Sequence, residues 1–311
     1  MHNDSPKNTR LFTKKDIVLT LLLSVFYLLL SNLFVGFKTD QLVLIFIFNT
    51  LYISQATRKF IIGFSIFIIY WIVFDYMKAF PNYWFNEVHI ESLYQIEKSW
   101  FGINFQGMVI TPNEYWLLHT NSFLDVCSGL FYIMWIPVPL ALATFLFFRN
   151  RQQFQYFSLT FVLVNFIGFA IYYAYPAAPP WYVKEYGFNF FANTKGNSAG
   201  LSRFDLFFDF SLFQSIYSKG SNVFAAMPSL HSSYPVTVLY YGLKNHLGKI
   251  NIFFAIVMVG IWFAAIYTSH HYMLDVLAGI ITAIVGISVF NLLARTPQIK
   301  KYLDLFQSKI S

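Results

Sequence analysis

The chain has 311 residues, of which 57% are hydrophobic and only 11% are charged. This composition excludes a water-soluble globule with a polar surface and indicates a protein whose solvent is lipid. The net charge of +7 would suit a nucleic-acid binder, but the basic residues lie in short clusters between apolar segments, so we predict a membrane partner and no nucleic acid.

Apolar segments long enough to cross a bilayer core of about 30 Å recur along the whole chain. We therefore predict an all-α fold, a polytopic transmembrane helix bundle with about eight spans and no sizeable soluble domain. The second segment is short, which suits a tilted or partly interfacial helix. The predicted spans are 17–37, 41–56, 60–80, 121–148, 154–175, 228–243, 251–268 and 271–293.

The basic residues indicate how these spans are oriented. If the N-terminus is cytoplasmic, 14 of the 21 Lys and Arg residues fall on cytoplasmic segments, and each of those segments is basic. Positive charge is retained on the cytoplasmic side of membrane proteins. We predict that both termini are cytoplasmic.

Two long segments then lie on the opposite, extracytoplasmic side. Segment 81–120 carries an amphipathic helical pattern, with Leu93, Ile96 and Trp100 among its apolar positions and Glu97 among its polar ones. It predicts an interfacial helix, either a lid or lipid-entry surface or a structural belt. Segment 176–227 is rich in Pro, Gly, Asn and aromatics, and long irregular connections are uncommon unless they are functional.

The fifth span ends in a proline-rich run. The prolines up to Pro180 predict a stiff, extended exit, and Trp181 and Tyr182 are aromatic residues typical of a membrane interface. They form either part of a substrate site or a simple aromatic belt. Further along, Arg203 carries the planar fork that binds phosphate oxygens well, although a solvated loop arginine is the alternative.

The sixth span begins at Met227-Pro228-Ser229-Leu230-His231. Proline suits the first turn of a helix, and the free N–H groups there form an anion site to which Ser229 can add a hydroxyl donor. His231 would lie one turn inside the helix. Considered by itself, such a histidine is more often a packed residue.

The eighth span begins with His271 and Asp275, four residues apart. On a helix this spacing places both side chains on one face, where the carboxylate can accept a proton from the imidazole. An ionisable pair inside a membrane is costly, which favours function, but a structural pair joining two helices is an equal alternative.

The alternating topology brings these pieces to one membrane face. A nucleophilic histidine, its carboxylate partner, a second histidine as acid and base, and an arginine suffice for metal-free phosphotransfer. The rival is a zinc site built from His231, His270, His271 and Asp275. Adjacent His270 and His271 point in different directions on a helix, which weakens it, and Cys127, the only cysteine, excludes a cysteine cluster.

At these residues the chain resembles the type 2 phosphatidic acid phosphatase superfamily. The family's second motif, Pro-Ser-Gly-His, is matched by Pro228, Ser229 and His231, with Leu230 in place of glycine. Its third motif ends His-x-x-x-Asp.

His271 and Asp275 match that third motif, but Ala264 and Ala265 stand where the family has a Ser-Arg pair. The inositol phosphorylceramide synthase branch departs in the same way and is similar in three further runs. These are Ala178–Tyr182, Gly200–Asp205 and Phe224–Ser232.

The resemblance implies a domain organisation. Residues 1–57 would hold a cytoplasmic tail and two additional helices, residues 58–295 a six-helix catalytic core with loops 81–120 and 176–227, and residues 296–311 a cytoplasmic tail. The site would face the periplasm or lumen.

The resemblance also implies an activity without a cofactor. His271, oriented by Asp275, would attack a phosphatidylinositol-like donor and form a phosphohistidine, with His231 as acid and then base for transfer to ceramide. Arg203, Ser229, Pro180, Trp181, Tyr182 and His270 would bind substrate.

Two alternatives stay open. A lipid phosphate phosphatase would use the same site with water as acceptor, and sequence does not show whether water is excluded. A transporter or scaffold would explain the intramembrane acids Asp75 and Asp125, which can otherwise be packed groups or line a headgroup cavity.

Overall fold

The computed structural model describes residues 13–218, 220 and 222–311. The predicted all-α fold is confirmed. The helices are α1 (Lys14–Val35), α2 (Thr39–Ile53), α3 (Arg58–Tyr76), α4 (Glu91–Phe101), α5 (Pro112–Leu118), α6 (Ser122–Ile133), α7 (Pro137–Arg149), α8 (Arg151–Ala174), α9 (Pro180–Tyr186), α10 (Ser202–Phe208), α11 (Leu212–Ser218), α12 (Leu230–Lys244), α13 (Ile250–Tyr267), α14 (Met273–Leu293) and α15 (Pro297–Ile310). A hairpin of β1 (Ile103–Phe105) and β2 (Met108–Ile110) follows α4.

In the described part of the chain, six helical segments are long and apolar enough to cross a membrane, as expected of an integral membrane protein. They are Lys14–Val35, Arg58–Ala79, Ser122–Arg149, Arg151–Ala174, Ile250–Tyr267 and Met273–Leu293. The predicted count of eight is not confirmed, because α2 and α12 have only 15 residues each. At 1.5 Å per residue such a helix is about 22 Å long, shorter than the bilayer core.

One compact unit contains residues 13–79 and 301–311. Within it α3 packs against α1 and α2. The Arg58 guanidinium donates to the carbonyl oxygens of Tyr52 (2.8 Å) and Ile53 (3.1 Å), which ties the start of α3 to the end of α2. Packing thus groups α3 with the first two helices, whereas the boundary at residue 57 stays a prediction.

The second unit contains residues 80–300, and α12 packs against α7, α8, α13 and α14. The approach of α14 to the start of α12 depends on Gly279, where a Cβ atom would lie 2.1 Å from the carbonyl oxygen of Ser229. The Ser233 hydroxyl donates to the Gly279 carbonyl oxygen at 2.6 Å. The N-terminal ends of α12 and α14 are therefore held side by side.

The predicted span 121–148 is broken into α6 and α7. Pro137 and Pro139 lie in the first turn of α7, where proline is tolerated because the first N–H groups of a helix have no internal partner. The break follows Ile133, so residues just before it can face the start of α12. This break positions part of the site described below.

The two long loops are more regular than predicted. The predicted amphipathic helix is present as α4, which begins at Glu91 and ends at Phe101. In the second loop the extended run ends early, because Pro180 opens the short helix α9 rather than continuing the extended exit. Parallel bridges join His89 to Ala177 and Ala177 to Ala225, which fastens the two loops together.

Candidate active site

Two histidines from distant parts of the chain face each other. His231 lies in the first turn of α12, and His271 lies in the connection between α13 and α14. The Nδ1 atom of His231 is 3.3 Å from the Nε2 atom of His271. His271 is buried and His231 is partly buried, so the pair lies at the edge of the protein interior.

His271 is fixed by bonds on both its backbone and its ring. Its N–H donates to the Ala265 carbonyl oxygen at 3.0 Å, and its carbonyl oxygen accepts from the Asn113 side-chain amide at 2.9 Å. Its Nδ1 atom is 3.0 Å from the Ala226 carbonyl oxygen. A carbonyl can only accept, so Nδ1 carries the proton and the lone pair of Nε2 faces His231.

The surroundings keep this imidazole neutral. Burial lowers the pKa of His271 to about 4, and the hydrogen bond to the Ala226 carbonyl opposes that shift. Only the neutral ring has a lone pair on Nε2. At neutral pH the ring is thus in the form that a nucleophile requires.

Asp275 lies near His271 in a different geometry from the one predicted. Helix α14 begins at Met273, so His271 precedes the helix rather than sharing a face with Asp275. The Asp275 Oδ2 atom is 3.6 Å from His271 Nδ1 and accepts instead from the Tyr272 N–H at 2.8 Å. Its Oδ1 atom is buried and has no hydrogen-bond partner among the described residues. The carboxylate caps the helix while remaining close to the ring.

His231 has two aromatic neighbours that the sequence analysis missed. The Tyr132 hydroxyl is 3.1 Å from His231 Nδ1, and the Trp135 ring lies edge-on at 4.7 Å from the His231 ring. Tyr132 lies in the last turn of α6, and Trp135 lies in the break between α6 and α7. Pro137 and Pro139 were the available signal, since prolines two residues apart inside an apolar run predict a break there.

Ser229 serves as the N-cap of α12, which starts at Leu230 rather than at Pro228. Its hydroxyl oxygen accepts from the Ser232 N–H at 3.4 Å and is 3.0 Å from the Ser232 hydroxyl. Ser229 is fully buried. Its contribution to an anion site stays a prediction.

His270 packs beside Tyr132, the residue that also contacts His231. Its ring packs against Tyr217 (4.6 Å) and Tyr132 (5.3 Å), and its Nδ1 atom is 3.2 Å from the Thr268 hydroxyl. Burial holds the pKa of His270 well below its usual value. Over residues 13–218, 220 and 222–311, no three His, Cys, Asp or Glu side chains are grouped to hold a metal ion, and this includes the four residues of the rival zinc site.

Arg203 is paired with Asp125. The Arg203 Nε atom donates to Asp125 Oδ1 at 2.5 Å, and the Tyr267 hydroxyl donates to the same oxygen at 2.8 Å. Arg203 Nη2 is buried and has no partner in the described part of the molecule. Asp75, the second acid that a transporter would explain, forms an ion pair with Lys78 at 2.8 Å.

The segment Pro180–Tyr182 is buried in the protein rather than exposed at the membrane interface. Pro180, Trp181 and Tyr182 are all buried, and the Tyr182 hydroxyl donates to the Asn189 carbonyl oxygen at 2.7 Å. The backbone N–H of Trp181 donates to the carbonyl oxygen of Ser269 at 3.1 Å, and Ser269 precedes His271 by two residues. These residues support the His271 segment, and their contact with substrate stays a prediction.

Comparison with known proteins gives a consistent picture. Residues 91–289 match the model of the PAP2 superfamily. The chain is 41% identical over 280 residues to a phosphoinositol dihydroceramide synthase of Bacteroides thetaiotaomicron, covering 88% of this chain and 91% of that protein. It is also 27% and 28% identical to inositol phosphorylceramide synthase catalytic subunits of Schizosaccharomyces pombe and Saccharomyces cerevisiae, over 76% and 74% of this chain. The chain spans about half the length of these fungal relatives, 55% and 56%. No solved structure matches it.

Proposed function

The chain belongs to the PAP2 superfamily, and from this premise we propose that it moves a phosphoinositol group from a phosphatidylinositol-like glycerophospholipid to ceramide. It is a membrane enzyme of the inositol phosphorylceramide synthase type. The observation that carries the proposal is the 3.3 Å approach of His231 Nδ1 to a neutral His271 Nε2.

In the proposed first step, His271 Nε2 attacks the phosphorus atom of the donor. A phosphorus–nitrogen bond forms while the bond to the diacylglycerol oxygen breaks. His231 acts here as an imidazolium: it gives its Nδ1 proton to the departing oxygen and is left as the neutral imidazole. Asp275, 3.6 Å from His271 Nδ1, stabilises the positive charge on the phosphorylated ring.

In the proposed second step, ceramide is the acceptor. Its hydroxyl proton passes to His231 as the oxygen attacks phosphorus and the bond to His271 breaks. The products are diacylglycerol from the first step and phosphoinositol ceramide from the second, and both histidines return to their starting protonation states. Each step is an acid–base and nucleophilic reaction that these side chains can perform.

We propose that Arg203 binds the phosphate of the donor lipid. Its Nε–Asp125 bond fixes the guanidinium plane, and its buried, unpartnered Nη2 supports the assignment, because a buried N–H without a partner is costly. Ser229, His270, Pro180, Trp181 and Tyr182 complete the proposed substrate site. Arg203→Lys is expected to raise KM for the donor, and an unchanged KM would remove Arg203 from the phosphate site.

We also propose an orientation. The distribution of Lys and Arg supports cytoplasmic termini and an active site on the periplasmic or luminal side. Both lipid substrates would then enter from the leaflet on that side.

A product assay tests the function. Purified enzyme in detergent is given phosphatidylinositol and fluorescent ceramide, with EDTA present. Phosphoinositol ceramide and diacylglycerol are expected in equal amounts. Inositol phosphate without a ceramide product would favour the phosphatase alternative, and transport of lipid without turnover would favour the transporter.

A further inference from the structure

A buried glutamate on helix α4 contacts the start of α14. The Glu97 Oε1 atom accepts from the Met273 N–H at 2.9 Å, and Oε2 accepts from the Leu274 N–H at 3.1 Å. These residues begin α14, and the first N–H groups of a helix have no partner within it. Glu97 is fully buried. It caps a helix whose first residue lies 176 positions further along the chain.

The capped end is the one that holds His271. His271 precedes Met273 by two residues, and Tyr272 lies between them. Leu93, one turn before Glu97 on the same face of α4, packs in a buried cluster with Tyr272. Helix α4 therefore contacts each residue from Tyr272 to Leu274, and a shift of α4 would move His271.

The other face of α4 is turned outward and carries two large apolar side chains among polar ones. Ile96 and Trp100 are 40% and 69% exposed, whereas Leu93 and Glu97 are buried. Apolar side chains on the outer face of such a helix lie in the membrane interface. Helix α4 thus joins that outer surface to the segment that carries His271.

We propose, on the basis of the function proposed above, that Glu97 is a positioning residue that holds His271 at attack distance from the donor phosphorus by capping α14 from α4. Asn113 of α5 acts on the same segment, because its amide donates to the carbonyl oxygens of Ile266 (2.8 Å) and His271 (2.9 Å). A misplacement of about 1 Å in a reacting group can cost about 10²-fold in rate.

Glu97→Gln isolates the cap. Glutamine has nearly the same shape but a single acceptor oxygen, so its NH₂ group would face one of the two helix N–H groups. Glu91→Gln is the matched control, since Glu91 is an exposed residue of the same helix. For each variant, kcat and KM for both lipids are measured, together with hydrogen exchange of the peptide that contains residues 271–275.

We expect Glu97→Gln to lower kcat about 10- to 100-fold with both KM values within about twofold of wild type, and to speed amide exchange at Met273 and Leu274. Glu91→Gln should match wild type in all of these. Should Glu97→Gln purify poorly, Glu97→Asp keeps the carboxyl group on a shorter side chain and is expected to show the same change in kcat.

Wild-type kcat in a folded Glu97 variant overturns the inference, as does a loss fully explained by a smaller fraction of folded enzyme. Failure of the proposed function looks different, because the wild-type enzyme itself would then make no phosphoinositol ceramide.

Discussion

The Nδ1 atom of His231 and the Nε2 atom of His271 are 3.3 Å apart, within hydrogen-bond distance of each other. A phosphorus atom about to react lies about 3–3.5 Å from its nucleophile, with the leaving oxygen on its far side. It does not fit between two nitrogens this close. The two rings must therefore separate when the donor lipid binds, and their hydrogen bond belongs to the substrate-free enzyme.

The first prediction concerns the nucleophile. With inositol-labelled donor and no ceramide, the wild-type enzyme should retain acid-labile label on the protein, and His271→Asn should retain none. Turnover of His271→Asn should fall by at least about 10³-fold. His246→Asn, at an exposed histidine, is the control and should match wild type. Wild-type turnover in His271→Asn would refute the assignment.

Tyr132→Phe tests the support of His231. The change removes the hydroxyl 3.1 Å from His231 Nδ1 and leaves the ring in place. A hydrogen bond of this kind contributes about 0.5–1.5 kcal/mol, so kcat should fall about 2- to 12-fold. Tyr240→Phe also loses one hydrogen bond, to Asn291, and should keep its kcat. Equal effects in the two variants would show that Tyr132 does not act on His231.

Gly279→Ala should separate the helices that carry the two histidines. The added Cβ would lie 2.1 Å from the Ser229 carbonyl oxygen, so backbone must move, at a cost of about 1–3 kcal/mol in unfolding free energy. Activity should fall at least about tenfold. In Gly286→Ala the new Cβ meets the Val164 side chain at 2.5 Å, further along α14. That variant should lose stability in thermal unfolding but keep its kcat.

The lowered pKa of His271 sets a pH dependence. The pKa of His271 is about 4 in the folded protein and 6.5 in the unfolded chain, so folding favours the neutral ring. Its contribution to stability is full above pH 6.5 and is lost as pH falls towards 4. In a plot of kcat/KM against pH, the loss of activity caused by protonation of His271 should accordingly occur near pH 4. A loss near pH 6.5 that is caused by His271 would contradict this.

Glu97 gives folding stability the opposite dependence on pH. Burial and the nearby Asp275 carboxyl raise the pKa of Glu97 from 4.5 to about 7, against the lowering effect of the two backbone hydrogen bonds. The folded state favours the protonated acid, so this contribution is full below pH 4.5 and is lost as pH rises through 7. The unfolding temperature of wild type relative to Glu97→Gln should therefore be higher at pH 5 than at pH 8.

Accessibility of single cysteines tests the orientation. In a Cys127→Ser background, Lys184→Cys places a thiol in loop 176–227, and His246→Cys places one between α12 and α13. An impermeant maleimide added to sealed, right-side-out vesicles should label only the first. Labelling of only the second would reverse the proposed topology.

The helices and the two histidines were predictable because their signals are local. Long apolar runs indicate spans, and His231 and His271 stand beside helix starts that the topology brings to one face. The count of eight spans is not confirmed, since the apolar runs that became α2 and α12 form helices of only 15 residues each. The turn that starts α14 at Met273 was also missed, because hydropathy carries no signal for the last residue before a helix.

The groups that hold His271 were not predictable. Glu97 was assigned to the polar face of an amphipathic helix, where a glutamate is ordinarily solvated. It is buried because α14 presents unpaired N–H groups there, and the contact joins residues 176 positions apart. Asn113 likewise reaches carbonyl oxygens more than 150 residues away. Such pairings depend on tertiary packing, which no local pattern encodes.

The acceptor that orients the His271 ring is a peptide oxygen, that of Ala226. No replacement of a side chain can delete this oxygen, so alanine scanning will miss it. Ala226 is itself buried, so its side chain matters for the path of the loop rather than for the hydrogen bond. A protein engineer who transplants only the histidines and the aspartate into another helix bundle would leave behind the group that aims the nucleophile.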